Sequence, residues 1–231
     1  MCNLKEELVI SIGGSILLPD DNNVSNIKEL SEMISEISQD YKLYLVIGGG
    51  RIARKYIEWG RQLGADEATL DELGIATSRL NARLLIASIN RDVYPIPATK
   101  FDEAITAGNH YSIVTMGGTH PGHTTDAVAA MLAERLGVDR MINATSVDGV
   151  YTEDPRKNEK AERLEKLSYD ELIEIVNKVE GGAGPNVVFD PLAAKIIKRA
   201  SIKTYILDGN NLGEFKKAIR DRDFHGTIVD F

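Results

Sequence analysis

The sequence predicts an α/β fold built on an open, mostly parallel sheet. Two observations carry this. Strand-like apolar runs alternate with helix-like periodic stretches, the order that sets parallel strands side by side with helices between them. Three of the strand runs then empty into glycine-rich turns. In an open parallel sheet such turns gather at the carboxyl edge, where ligands bind.

The elements follow in chain order. Leu8-Val9-Ile10-Ser11-Ile12 is an apolar run ending in Gly13-Gly14-Ser15. Ile27, Leu30, Ile34 and Ile37 recur at helical spacing and mark one helix face. Leu43 to Ile47 is the second run; it ends in Gly48-Gly49-Gly50, and Arg51 to Leu63 reads as a helix. A long helical stretch runs from about Leu70 to Asn90, with Leu73, Leu80, Leu84 and Leu85 among its apolar positions. Gly74 inside it leaves room for two helices. Asp92 to Ala98 reads as a short strand weakened by Pro95 and Pro97. Ser112-Ile113-Val114 is a buried strand, and Ala127 to Ala133 is a strong helix former. Met141 to Ala144 is a further buried strand, ending at Thr145. Thr152 to Lys166, rich in charge and containing Pro155, is a solvated loop or hairpin. Tyr169 to Lys178 is a helix with Leu172, Ile173 and Val176 inward, and Gly181 to Asn186 a turn. Pro191 starts a helix to Arg199, a favoured first-turn position for proline. Lys203 to Leu207 and Thr227-Ile228-Val229 are the last strands. Tyr44, Tyr56 and Trp59 read as packing residues.

A chain of 231 residues, 43% apolar, suffices for one large domain or two lobes sharing a sheet. The net charge of −8 argues against a general nucleic-acid groove. The single cysteine, Cys2, forms no internal disulfide, which fits a reducing cytosol. No apolar run approaches the ~20 residues of a membrane span, and Lys5, Glu6 and Glu7 precede the first apolar run, unlike a signal peptide. The expected setting is cytoplasmic.

The most informative stretch is Met116-Gly117-Gly118-Thr119-His120-Pro121-Gly122-His123-Thr124-Thr125-Asp126, between a strand and a helix. Its small residues admit a ligand close to the backbone, and hydroxyls with helix-start N–H groups suit phosphate oxygens. Other motifs compete. Gly48-x-Gly50-x-x-Ala53, with Asp71 about 20 residues on, matches the alanine-ended dinucleotide fingerprint. That reading leaves the other two glycine turns unexplained. The Walker phosphate loop and the protein-kinase motif set are absent. His120, His123 and Asp126 could in principle hold a metal, but hydrogen bonding within a polar loop is preferred, and no resident metal site is expected.

The ordered set Ile12-Gly13-Gly14-Ser15, Gly48 to Tyr56, Met116 to Ala130, Val147 to Pro155 and Asp190 to Ile197 resembles the amino acid kinase superfamily, and within it the archaeal type of uridylate (UMP) kinase. The Asp-Gly-Val-Tyr-x-x-Asp-Pro stretch marks the superfamily; the Gly-Gly-Thr-His-Pro-Gly-His-Thr-Thr-Asp stretch is more specific. The resemblance implies a three-layer αβα sandwich that transfers phosphate from MgATP to UMP. It implies an acceptor lobe over about 1–145 and an ATP lobe over about 146–231. Gly49, Asp71, Thr119, His120, Pro121, Gly122, His123, Thr124 and Thr125 would face UMP. Gly14, Ser15, Gly50 and Arg54 would face the ATP phosphates. Thr145, Ser146, Tyr151 and Asp154 would hold its nucleoside part. Arg54, Asp126 and Lys195 are the catalytic candidates, Mg²⁺ arrives with ATP, and a homohexamer is implied.

The chemistry fits these residue types. Two unit charges at 4 Å repel by roughly 4 kcal/mol at an effective dielectric of 20, so positioning and charge neutralisation dominate phosphoryl transfer. Two departures stand out. Many superfamily members carry lysine where this chain has Ser11, which shifts weight to Arg54 and Lys195. Asparagine is common where this chain has Ser146. The competing functions are a sister kinase acting on isopentenyl phosphate, carbamate or an amino acid, and a non-catalytic nucleotide or oxyanion binder.

Overall fold

The computed structural model describes residues 5–19, 24–153, 158, 160–178 and 189–231. In chain order the elements are β1 (Glu6–Ile12), α1 (Gly14–Leu17), α2 (Ser25–Ile37), β2 (Tyr41–Ile47), α3 (Gly50–Gln62), α4 (Glu67–Ser88) and α5 (Phe101–Gly108). Then come β3 (Ile113–Met116), α6 (Thr125–Leu136), β4 (Arg140–Thr145), β5 (Val150–Tyr151), β6 (Arg163–Leu164) and β7 (Lys166–Leu167). The chain closes with α7 (Tyr169–Lys178), α8 (Pro191–Ala200), β8 (Lys203–Asp208), α9 (Leu212–Ile219) and β9 (Thr227–Val229).

Seven strands form one sheet in the order β3-β2-β1-β4-β8-β9-β7. The five strands from β3 to β8 are parallel, and β9 turns antiparallel against β8. Strand neighbours explain why the runs are continuously apolar: helices cover both faces, so the last five positions of β1 and of β2 are all buried. Leu8, Ile10 and Ile12 point with Leu43, Leu45 and Ile47 toward α1, α2, α4 and α9. Val9, Tyr44 and Val46 point the other way, toward α5, α6, α7 and α8. This is the three-layer αβα sandwich. The chain passes from β1 to β2 on one side and returns to β4 on the other, so the sheet order switches at β1. In open α/β sheets the crevice outside the carboxyl ends at such a switch point is where ligands bind.

Several expectations change. Residues 67–88 form one helix that runs straight through Gly74. Its buried face is Leu70, Thr77, Ser78, Asn81, Ala82, Leu85 and Ile86, while Leu80 and Leu84 are exposed. Asp92 to Ala98 is not a strand; it makes isolated bridges at Val93 and Ala98 only, because Pro95 and Pro97 supply no N–H to a ladder. Tyr44 is a core residue, but Tyr56 and Trp59 lie exposed on α3, edge to face with ring centroids 5.6 Å apart. Helix α3 packs on α4, not on the sheet core, which is why they escape burial. The 152–166 segment is partly a hairpin, with β5 paired to β6. Asp154, Pro155 and the turn from Gly181 to Asn186 lie outside the described residues. Helices α5 and α9 had no counterpart in the sequence reading. Among the described residues no helix is long and apolar enough to cross a membrane.

Candidate active site at the carboxyl edge

The turns after β1 and β2 touch backbone to backbone. A Cβ at Gly14 would lie 2.4 Å from both the Gly48 carbonyl oxygen and the Gly50 nitrogen. Gly50 has φ +63°, the left-handed region, and a Cβ there would meet Gly14 C at 2.5 Å. The glycines are therefore demanded by the approach of the two turns. On this junction Arg54 reaches from α3 across to the Ser15 hydroxyl at 3.4 Å. The first turn of α3 has no side-chain cap, so the positive end of its dipole is left for a ligand. The structure thus brings together Gly14, Ser15, Gly49, Gly50 and Arg54.

The loop after β3 is held by α4. Gly117 and Gly118 lie against Ser78, Arg79 and Ile75. Their smallness lets the loop pack closely on α4. The Gly118 N–H donates to Ser78 Oγ at 2.8 Å. Arg79 donates to the carbonyls of Gly118 and Thr119 at 3.0 and 3.3 Å. His120 to His123 form a tight turn in which Pro121 is second and Gly122, at φ +81°, third. That is the type II pattern, closed by the His123 N–H on the His120 carbonyl at 3.3 Å. Asp71, expected to face UMP, accepts from the Gly122 N–H at 2.7 Å and so braces this loop. Thr124 caps α6 by accepting from the Ala127 N–H at 3.1 Å, and Thr125 is the first residue of that helix. Thr119 Oγ1 and His123 Nδ1 are buried and have no partner. Buried polar atoms are normally paired, so these two leave hydrogen-bonding capacity in the loop that a bound ligand could use.

Asp126 sits at the base of the crevice, on the first turn of α6. It accepts from Ser11 Oγ at 2.8 Å. Ser11 lies beside Asn143 in the β1–β4 register, and Asn143 donates to the same carboxyl. Burial pushes Asp126 up to about 6; the Asp190 charge adds to this, and the Ser11 and Asn143 hydrogen bonds oppose it. Asp190 itself caps α8 on the Ala193 N–H at 2.8 Å. Lys195 is exposed on the second turn of that helix. Ser11, in the lysine's place, is therefore a neutral donor to the carboxylate.

The opposite half of the crevice carries Thr145 at the end of β4, where its carbonyl accepts from the Gly209 N–H at 2.9 Å, and exposed Ser146. Tyr151 donates its hydroxyl to Asp148 at 2.9 Å. The other Asp148 oxygen meets His225 Nε2 at 3.0 Å, so His225, silent in the sequence, belongs to this network. Burial would raise Asp148, yet hydrogen bonds from Tyr151 and His225 outweigh it and hold the carboxyl below its usual value. Sequence reasoning missed Ser78, Arg79 and Asn81. The available signal was a run of polar residues, Thr77, Ser78 and Asn81, on a helix face otherwise apolar.

Comparison with known proteins agrees with this architecture. The model of the "Amino acid kinase family" matches residues 6–208. The uridylate kinase of Pyrococcus abyssi is 48% identical over 96% of this chain and 99% of its own length. The crystal structure of uridylate kinase from Archaeoglobus fulgidus superposes with TM-score 0.86 at 44% identity, covering 96% of this chain and 99% of that one. The UMP kinase structure from Ureaplasma parvum, at 22% identity over 98% of this chain and 99% of that one, shares the fold with TM-score 0.81. Sheet order, glycine turns and these likenesses converge, and the chain belongs to the amino acid kinase family.

Proposed function

We propose that this protein is a UMP kinase, transferring the γ-phosphate of MgATP to UMP to give UDP and ADP. The observation that carries the reading is the loop from Gly117 to Thr125. It is braced on α4 by Asp71, Ser78 and Arg79, and it holds two buried polar atoms without partners. The likeness to the Pyrococcus abyssi uridylate kinase along nearly its whole length supports the acceptor.

In this reading residues up to about 145 form the acceptor lobe and residues from about 146 the ATP lobe. UMP lies against Gly49, Asp71 and the run from Thr119 to Thr125. The ATP phosphates lie on Gly14, Ser15, Gly50 and Arg54, and its nucleoside part on Thr145, Ser146 and Tyr151, with Asp154 as a further candidate. Arg54 and Lys195 neutralise charge as the phosphoryl group passes between two polyanions. Mg²⁺ entering with ATP fits the Asp126 corner: burial and the Asp190 charge strain that carboxylate, and a positive charge relieves both. When bound, the ion neutralises phosphate oxygens. Asp126 also orients the cations around it. Exposed Tyr56, Trp59 and Leu63 on or beside α3, and Leu80 and Leu84 on α4, support assembly with further copies, a homohexamer by family likeness. The setting is the cytoplasm and the pathway pyrimidine nucleotide synthesis.

The test is ADP release from MgATP with UMP, CMP, dUMP, AMP, isopentenyl phosphate, carbamate and glutamate as acceptors. A clear preference for UMP is expected. Turnover with another acceptor instead overturns the substrate; tight nucleotide binding without turnover overturns the activity.

A further inference from the structure

One buried side chain bonds two consecutive carbonyls of the glycine turn after β2. Asn81 lies on the inner face of α4, 3% exposed. Its Nδ2 donates to the Gly48 carbonyl at 2.9 Å and to the Gly49 carbonyl at 3.1 Å. A trans peptide is planar, and its N–H points opposite to its C=O. The Gly48 carbonyl shares a plane with the Gly49 N–H, and the Gly49 carbonyl with the Gly50 N–H. Drawing both carbonyls toward α4 therefore turns both N–H groups away from it. The Gly50 nitrogen faces the β1 turn, as its closeness to the Cβ position of Gly14 records. Three consecutive glycines have many accessible backbone states. The Gly49 carbonyl also accepts the Ala53 N–H of α3 at 3.3 Å, so the Asn81 amide adds to a helical bond there and bears most on the Gly48–Gly49 peptide.

We propose that Asn81 is a positioning residue for phosphoryl transfer: one amide group aims the Gly49 N–H at the acceptor phosphate and the Gly50 N–H at the donor phosphates. This rests on the assignment of the glycine turns to phosphates made above. The same helix holds the acceptor loop through Ser78 and Arg79. Asn81 thus registers the phosphate-facing N–H groups against the loop that holds the rest of the acceptor.

A merely structural tie between α4 and the β2 turn would weaken every ligand alike. The aiming role is phosphate-specific, so the readout is the ratio of UMP to uridine affinity, together with ATP to adenosine, from inhibition constants. Removing one preorganised donor from a charge-stabilising site commonly costs 10²–10³ in turnover. For Asn81→Ala the UMP-to-uridine ratio is expected to fall about tenfold and kcat by at least as much, with uridine affinity unchanged. Asn81→Ser keeps one donor and is expected to recover part of both losses; it carries the test if the alanine variant does not fold. An unchanged ratio in a folded variant, or equal weakening of UMP and uridine, overturns the inference. A wild-type protein that does not favour UMP over uridine fails earlier, at the assignment of the turns to phosphates.

Discussion

Asp126 stands where the demands of folding and of the proposed catalysis part. Its pKa in the folded protein, about 6, lies above the ordinary carboxylate value of about 3.9, with burial as the main cause. The sign follows from proton binding. Between these two values the folded state holds the proton that the unfolded state has released. The carboxyl's contribution is therefore most favourable below pH 4 and is lost as pH rises toward 6; above that the fold carries a strained carboxylate. Asp126→Asn removes the ionisation. Its melting temperature relative to wild type is expected to climb between pH 4 and pH 7, while turnover at neutral pH falls about a hundredfold. A temperature difference flat across this range would show that the carboxyl is not strained. The position of Ser11 two residues before the first glycine pair was legible in the sequence. Its consequence was not, because only the β1–β4 register puts the hydroxyl and Asn143 under the same carboxylate.

Whole elements were legible where burial on both sides left a continuous apolar run, as in β1, β2, β4 and β8. Short helices were illegible. Helices α5 and α9 each have only eight residues, too few for a repeat of 3.6 to assert itself. Helix α4 shows the other limit: its periodicity is plain, but which face is inward depends on its neighbours. Leucines at 80 and 84 stay outside while Ser78 and Asn81 go in. Helix ends give a test at this scale. Helices α6 and α8 both end on a left-handed residue, Gly137 at φ +67° and Ser201 at φ +52°. Only the first is free of a Cβ penalty, which is roughly 1–2 kcal/mol per residue and is partly offset by the entropy of glycine. Ser201→Gly is expected to stabilise the protein by about 0.5 kcal/mol and Gly137→Ala to destabilise it by about 1 kcal/mol. Urea midpoints with an unchanged slope would register both. The same sign for the two would refute the account.

At the scale of the whole molecule, the proposed site and a structural clamp lie at opposite edges of one sheet. The carboxyl edge carries the glycine turns and Asp126. The amino edge carries Arg140, which is 8% exposed at the start of β4. Its guanidinium donates to the carbonyls of Ala218 and Ile219 at 2.7 and 3.1 Å and to Glu6 at 2.9 Å, and lies 5.5 Å from the Tyr205 ring centroid. It thus ties the last turn of α9, where unpaired carbonyls gather negative charge, to β1 and β4. The sequence could not announce this, since residues 6, 140 and 218 meet only through the strand order β1-β4-β8. Arg140→Met leaves the Ile219 carbonyl without this donor, while the Ala218 carbonyl keeps the Asp221 N–H at 3.2 Å and the largely exposed Glu6 returns to water, a loss of about 2 kcal/mol. Yet β4 separates this clamp from the crevice by about 17 Å, at ~3.3 Å per residue. The variant is therefore expected to unfold at lower denaturant while its KM values for UMP and ATP, measured well below its melting temperature, stay at wild-type levels. A KM that rises with the loss of stability would mean that the clamp reaches the crevice along β1 and β4. The glycine turns would then be held by the sheet as a whole and not locally by α4.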